Sequence, residues 1–237
     1  MSSEIPIAEL TDFAVSAISA VVLFYAAYLS FNVRRGLAVP LYKSRALWLG
    51  TLSILFGITF VGFERIDELF PSYEELGRFL FYDVVVLLTF TALAVWVDRT
   101  AGTLIRLDYL RKDIIGWKRA RPLYWVGVAL GFAFYVIGTG YYVFGIVDSV
   151  TTFSTSGVTV VPILVALAYA FAVLVVGSIR TRDLTFRNHA KWFAIAVVGF
   201  VLWILAPSTQ IVDVLPEILF AYSFYRMARS LVPVNKL

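Results

Sequence analysis

Seven predominantly apolar runs, each 17 to 23 residues long, recur along the chain at 11–32, 46–63, 77–97, 122–144, 157–178, 190–207 and 210–226. A helix rises about 1.5 Å per residue, so each run matches the roughly 30 Å hydrocarbon core of a bilayer. Lipid offers no hydrogen-bond partner to a bare backbone, and helices are what such runs dictate. A soluble domain is excluded by composition. Of the 237 residues 60% are hydrophobic and only 15% charged, more apolar surface than a globule of this size can hide. The expected architecture is all-α, one polytopic seven-transmembrane-helix domain over 1–237 in the cell membrane.

Charge in the connections sets the orientation. The segments after runs one, three and five, with the tail, hold 18 of the 20 Lys and Arg residues. Glu4, Glu9, Asp12, Glu64, Asp67, Glu68, Glu74, Glu75 and Asp148 fall on the opposite side. The positive-inside rule then predicts an N-terminus outside and a C-terminus inside. This asymmetry accounts for the net charge of +4, so no nucleic-acid partner is expected. The acidic opening "MSSEIPIAEL" has no basic n-region and is not expected to be a secretory signal.

Several chemistries drop out. The chain has no cysteine, which removes disulfides and thiolate catalysis, and its lone His189 argues against a histidine metal site or a Ser-His-Asp triad. No metal is expected. His189, at the cytoplasmic mouth of the sixth run, is read as a solvated interfacial residue. Tyr25, Tyr28, Tyr135, Tyr141 and Tyr142 suit either a cavity lining or an interfacial belt. "GVALG" (127–131) permits a close helix contact, inside the bundle or in a homo-oligomer.

Ionisable groups inside the runs are costly in lipid, so each needs a partner or a function. Arg78 and Asp83 lie on the third run, and Asp213 and Glu217 on the seventh. Both runs cross from outside to inside. Arg78 and Asp213 then reach similar depths, where an ion pair is expected, with Glu217 one turn deeper on the same face as Asp213. Asp83, beside Tyr82, reaches a comparable depth. Pro216 is expected to free a backbone carbonyl and kink the helix. The polar core so formed serves either helix packing or ligand and proton handling. The cytoplasmic stretch 98–122 mixes apolar residues with Arg111, Lys112, Lys118 and Arg119, as an interfacial amphipathic helix or a partner-contact surface would.

Two stretches resemble the microbial (type I) rhodopsins. "LAVWVDRTAGTLIRL" (93–107) is similar to the cytoplasmic end of that family's third helix, and counting back from Asp98 puts Arg78 at the family's arginine. "DVLPEILFA" (213–221) is similar to the seventh-helix signature in which an Asp precedes the retinal-binding Lys by four residues. The resemblance implies a seven-helix, N-outside fold. Its departures are specific. Glu217 stands at the Schiff-base lysine, Phe81 at the counter-ion, Tyr82 at the following Trp and Ala92 at the proton donor. A carboxylate cannot form a Schiff base, so covalent retinal and light-driven proton pumping are not expected, nor is another cofactor.

The leading expectation is a retinal-free, rhodopsin-like sensor, signalling or scaffold protein that acts through its basic cytoplasmic loops on a cytoplasmic or membrane protein. The rival is a channel or transporter subunit for protons, cations or another solute, possible within a larger translocation machine, with Asp83 and Glu217 on the path. Enzymatic activity is a third reading. "FPSYEELGRFLF" (70–81) is faintly similar to membrane carotenoid cyclases, but Glu74 and Glu75 fall in an outer loop, where a solvated acidic surface is the ordinary role.

Overall fold

The computed structural model describes residues 7–69, 84–85, 87–106, 117–143, 184–205 and 214–232. Among these residues the secondary structure is helical, with no strand. The helices are α1 (Ile7–Gly36), α2 (Pro40–Leu69), α3 (Leu87–Arg106), α4 (Trp117–Val143), α5 (Leu184–Leu205) and α6 (Val214–Ser230). Two of them contain segments long and apolar enough to cross a membrane, Phe13–Gly36 and Tyr42–Gly62. At about 1.5 Å per residue both exceed 30 Å.

The chain forms two compact units, Met1–Glu64 with Asp183–Leu237, and Arg65–Arg182. The first holds α1, α5, α6 and most of α2. The inner face of α1 is built from Ser16, Ser19, Ala20, Leu23, Ala26, Ala27, Ser30 and Val33, all buried. Their three- and four-residue spacing gives one stripe, and its small side chains let neighbouring backbones come close. The same device recurs on α2, where Gly50 receives the ring of Phe31 and Gly57 that of Phe24. A Cβ would stand 2.8 Å from the Phe31 ring at Gly50 and 2.9 Å from the Phe24 ring at Gly57. The pairs are seven residues apart on each helix and run in opposite senses, so α1 and α2 are antiparallel.

Other contacts fix the remaining directions. Ser16 meets Glu217 and Tyr25 stacks on Tyr225, so α1 and α6 run parallel. Gly199 faces Pro216 and Phe220 while Trp192 faces Tyr222, so α5 and α6 are antiparallel. Phe56 on α2 lies at the centre of the core, with ring centroids 4.8 Å from Phe220, 5.6 Å from Phe224 and 6.2 Å from Phe200. These edge-to-face contacts add about 0.5–1.5 kcal/mol per pair beyond area burial.

Polar side chains in the helices are mostly satisfied by their own backbone. Ser30, Ser53, Thr59, Thr89 and Ser223 each donate to the carbonyl four residues earlier, at 2.6–2.9 Å. That local bond hides a hydroxyl without a tertiary partner. By contrast, large apolar side chains point outward on α1 (Ile18, Val21), α4 (Leu123, Val126, Leu130, Ile137), α5 (Val198, Leu202) and α6 (Leu215, Ile218). Their helical spacing makes outward apolar stripes, the surface a lipid-solvated protein presents.

In the second unit, α3 continues through Arg106 and α4 begins at Trp117, so residues 98–106 and 117–121 prolong the two helices. Asp98 and Arg121 form a bidentate ion pair at 2.7 and 2.8 Å. Tyr124 donates to the Ala94 carbonyl at 3.0 Å, a second tie between α3 and α4. The fork geometry matches a planar guanidinium to a carboxylate. The Asp98 hydrogen bond and charge push the Arg121 guanidinium above its ordinary value. Gly127 has no atom within 4 Å of an added Cβ, so no described helix closes on that end of the "GVALG" pattern.

Candidate functional site around Glu217

Glu217 lies in the first turn of α6, the fourth residue of the helix. Pro216, just before it, is in the same turn, where a missing N–H removes no intrahelical bond. The kink expected at Pro216 involves residues before Val214, which lie outside the described ones. The first turn also favours a carboxylate, because unpaired N–H groups there carry partial positive charge.

The Glu217 side chain is buried, 6% exposed, and Ser16 Oγ donates to its Oε2 at 3.3 Å. One turn further along α1, on the same face, Ser19 Oγ is buried with no hydrogen-bond partner among the described residues. On the α5 side, Gly199 lets the α6 backbone approach closely. A Cβ there would sit 3.1 Å from the Pro216 carbonyl oxygen and 3.3 Å from the Phe220 nitrogen. Phe220, three residues beyond Glu217, packs against Phe56 and Phe60 at 4.8 and 5.8 Å. The site is a carboxyl group and two serine hydroxyls between α1 and α6, bordered by phenylalanine rings.

Of the other residues expected to form the polar core, Arg78, Tyr82, Asp83 and Asp213 lie outside the described residues. So do Arg111 and Lys112. Lys118 and Arg119 fall in the first turn of α4. Tyr135, Tyr141 and Tyr142 have no described side chains, whereas Tyr25 and Tyr28 are exposed on the outer face of α1.

His189 corrects its sequence reading. It is 3% exposed, enclosed in the first unit near the start of α5. Burial lowers its pKa to about 3, the Arg45 guanidinium acts in the same sense, and the Met227 backbone carbonyl opposes them. Arg45, assigned from sequence to a basic connection, is a buried side chain of α2 at 5% exposure. A hydropathy scan locates where lipid ends and carries no information on which residues at that boundary face a neighbouring helix. Asp98 with Arg121 is likewise a pair that sequence reasoning missed; its only signal was opposite charges at the facing ends of two consecutive helices.

Among the described residues no group of three or more His, Cys, Asp or Glu side chains is placed to hold a metal ion. No family model, no curated protein and no solved structure matches this chain.

Proposed function

We propose that this chain is a multi-pass membrane protein of seven helices, N-terminus outside and C-terminus inside, with a rhodopsin-like arrangement and no covalent retinal. It acts as a sensor, signalling or scaffold protein through its basic cytoplasmic segments. The observation that carries this reading is Glu217, a buried carboxyl at the position where the resemblance implies a Schiff-base lysine. A carboxyl has no amine to condense with an aldehyde, and its ties to Ser16 and the tight α5 approach suit a fixed structural role. The parallel course of α1 and α6 supports an odd number of crossings.

The test is direct. Purified protein incubated with all-trans retinal and then treated with borohydride is expected to carry no covalently reduced chromophore. A Lys-linked adduct would sink the retinal-free reading. Charge reversal at Arg111, Lys112, Lys118 and Arg119 is expected to abolish cross-linking to a cytoplasmic partner while leaving the helical content unchanged.

A second reading, a channel or transporter subunit, is favoured by one observation: the buried Ser19 hydroxyl, without a hydrogen-bond partner among the described residues, beside the Ser16–Glu217 pair. Such a file of polar groups suits passage of a proton or cation. Proteoliposome flux lost in both Glu217→Gln and Asp83→Asn would establish it over the signalling reading. Absence of flux in the wild type would remove it.

A further inference from the structure

The outer surface of α1, α5 and α6 carries a ladder of rings and cations separate from the Glu217 site. Tyr28 stacks on Tyr25 at 6.3 Å, Tyr25 on Tyr225 at 6.1 Å, and Tyr222 meets Trp192 edge-on at 5.6 Å. The Arg226 guanidinium lies 4.6 Å from the Trp192 ring centroid and donates to the Tyr222 hydroxyl at 2.9 Å. Arg229 donates to the Tyr225 hydroxyl at 3.2 Å, and the Lys191 ammonium stands 5.9 Å from the Trp192 ring. None of these three cations has a carboxylate partner among the described residues.

The ladder is one end of a longer stripe. On α6, Leu215, Ile218, Tyr222, Arg226 and Arg229 follow one another at three- or four-residue steps, which puts them on one face. Leu215, Ile218 and Tyr222 are exposed and Arg229 is exposed at the far end. The neighbouring stripe of α1 changes in the same order, from Ile18 and Val21 to Tyr25 and Tyr28. Because α1 and α6 are parallel, both stripes pass from aliphatic to aromatic toward the same end, where α6 adds its cations. That sequence of surfaces is complementary to a lipid: acyl chain, interfacial belt, anionic headgroup.

The chemistry at the cationic end is specific. A guanidinium fixed by a ring face and a phenol keeps further N–H donors aimed outward, and its planar fork suits a phosphate diester. Tyrosine and tryptophan settle at the boundary between hydrocarbon and headgroups, and the aliphatic stems of Arg and Lys lie along apolar surface with their charge at the rim.

We propose that this α1–α5–α6 face binds an anionic glycerophospholipid, its phosphate on Arg226 and Arg229 and an acyl chain along Ile218 and Leu215. The proposal rests on the membrane-spanning reading above. Each basic residue at a lipid surface contributes about 1 kcal/mol, roughly fivefold in affinity, so two give about 25-fold.

The experiment is native mass spectrometry of the full chain, extracted from membranes and exchanged with phosphatidylglycerol or phosphatidylcholine. Wild type is expected to retain phosphatidylglycerol about 25-fold better than phosphatidylcholine. The Arg226→Gln/Arg229→Gln variant is expected to lose that preference. Lys43→Gln, at an exposed position on α2 and so outside the α1–α5–α6 face, is expected to keep it within about twofold of wild type, since it leaves the fixed site intact. Equal retention of the two lipids by wild type overturns the proposal without needing any variant to fold. An equal loss in the Lys43→Gln variant also overturns it, because the attraction would then be diffuse. If the chain instead leaves the membrane fraction on alkaline washing, the membrane reading itself fails. A chain that stays but shows no lipid preference fails the lipid site alone.

Discussion

His189 and Glu217 are both buried, and their surroundings make different demands of them. Around His189, burial and the Arg45 guanidinium favour the neutral ring, with a folded-state pKa of about 3 against an ordinary 6.5. Between these values the unfolded chain binds a proton that the folded chain refuses. Folding stability is therefore full above pH 6.5 and declines as pH falls from 6.5 toward 3, by about 1.4 kcal/mol per pH unit. Thermal unfolding of wild type and His189→Gln from pH 7.5 to 4.5 checks this. The difference between their midpoints is expected to be constant above pH 6.5 and to move against wild type below it. A constant difference throughout would mean that the ring is accessible to protons. The burial of His189 and of Arg45 was not legible in sequence. His189 stands among basic residues at the edge of an apolar run, and only the tertiary placement of α2 and α6 removes it from water. Glu217 was legible as a buried carboxyl because it sits inside the last run, yet its Ser16 donor lies 201 residues away.

At the scale of helices, backbone approach decides which positions tolerate a methyl group. Gly199→Ala puts a Cβ 3.1 Å from the Pro216 carbonyl oxygen, a rigid backbone atom. Overpacking of this kind costs about 1–3 kcal/mol, partly offset by the higher helix propensity of alanine, about 1 kcal/mol. A net loss of up to about 2 kcal/mol is expected. Gly127→Ala meets nothing within 4 Å and is expected to be neutral or stabilising by up to about 1 kcal/mol. Unfolding of the two variants in the same detergent checks the opposite signs. The α3–α4 pair gives a second test. Asp98→Asn and Arg121→Gln are each expected to lower the unfolding midpoint, and the double variant to lose less than the sum. Additive losses would mean that the bidentate contact contributes nothing. Each described helix overlaps one of the apolar runs, because hydropathy reports the apolar middle of a helix. The runs did not foretell that α3 continues from Asp98 to Arg106, because the polar end of a helix obeys capping and propensity rather than hydropathy.

For the whole molecule, the parallel course of α1 and α6 has a topological consequence. If both cross the bilayer as the first and last crossings, an odd number of crossings separates the two termini, and those termini face opposite sides. The absence of cysteine makes this measurable without first removing native thiols. In intact cells a membrane-impermeant maleimide is expected to label Ser3→Cys and to reach Lys236→Cys only after permeabilisation. Ser72→Cys, between the second and third apolar runs, is expected to react like Ser3→Cys, and Lys112→Cys like Lys236→Cys. Both termini reacting from one side would require an even number of crossings, incompatible with parallel first and last spans. Inverted labelling at all four positions would keep seven crossings and reverse the orientation. That outcome would place 18 basic residues outside, against the rule that cytoplasmic segments retain Lys and Arg.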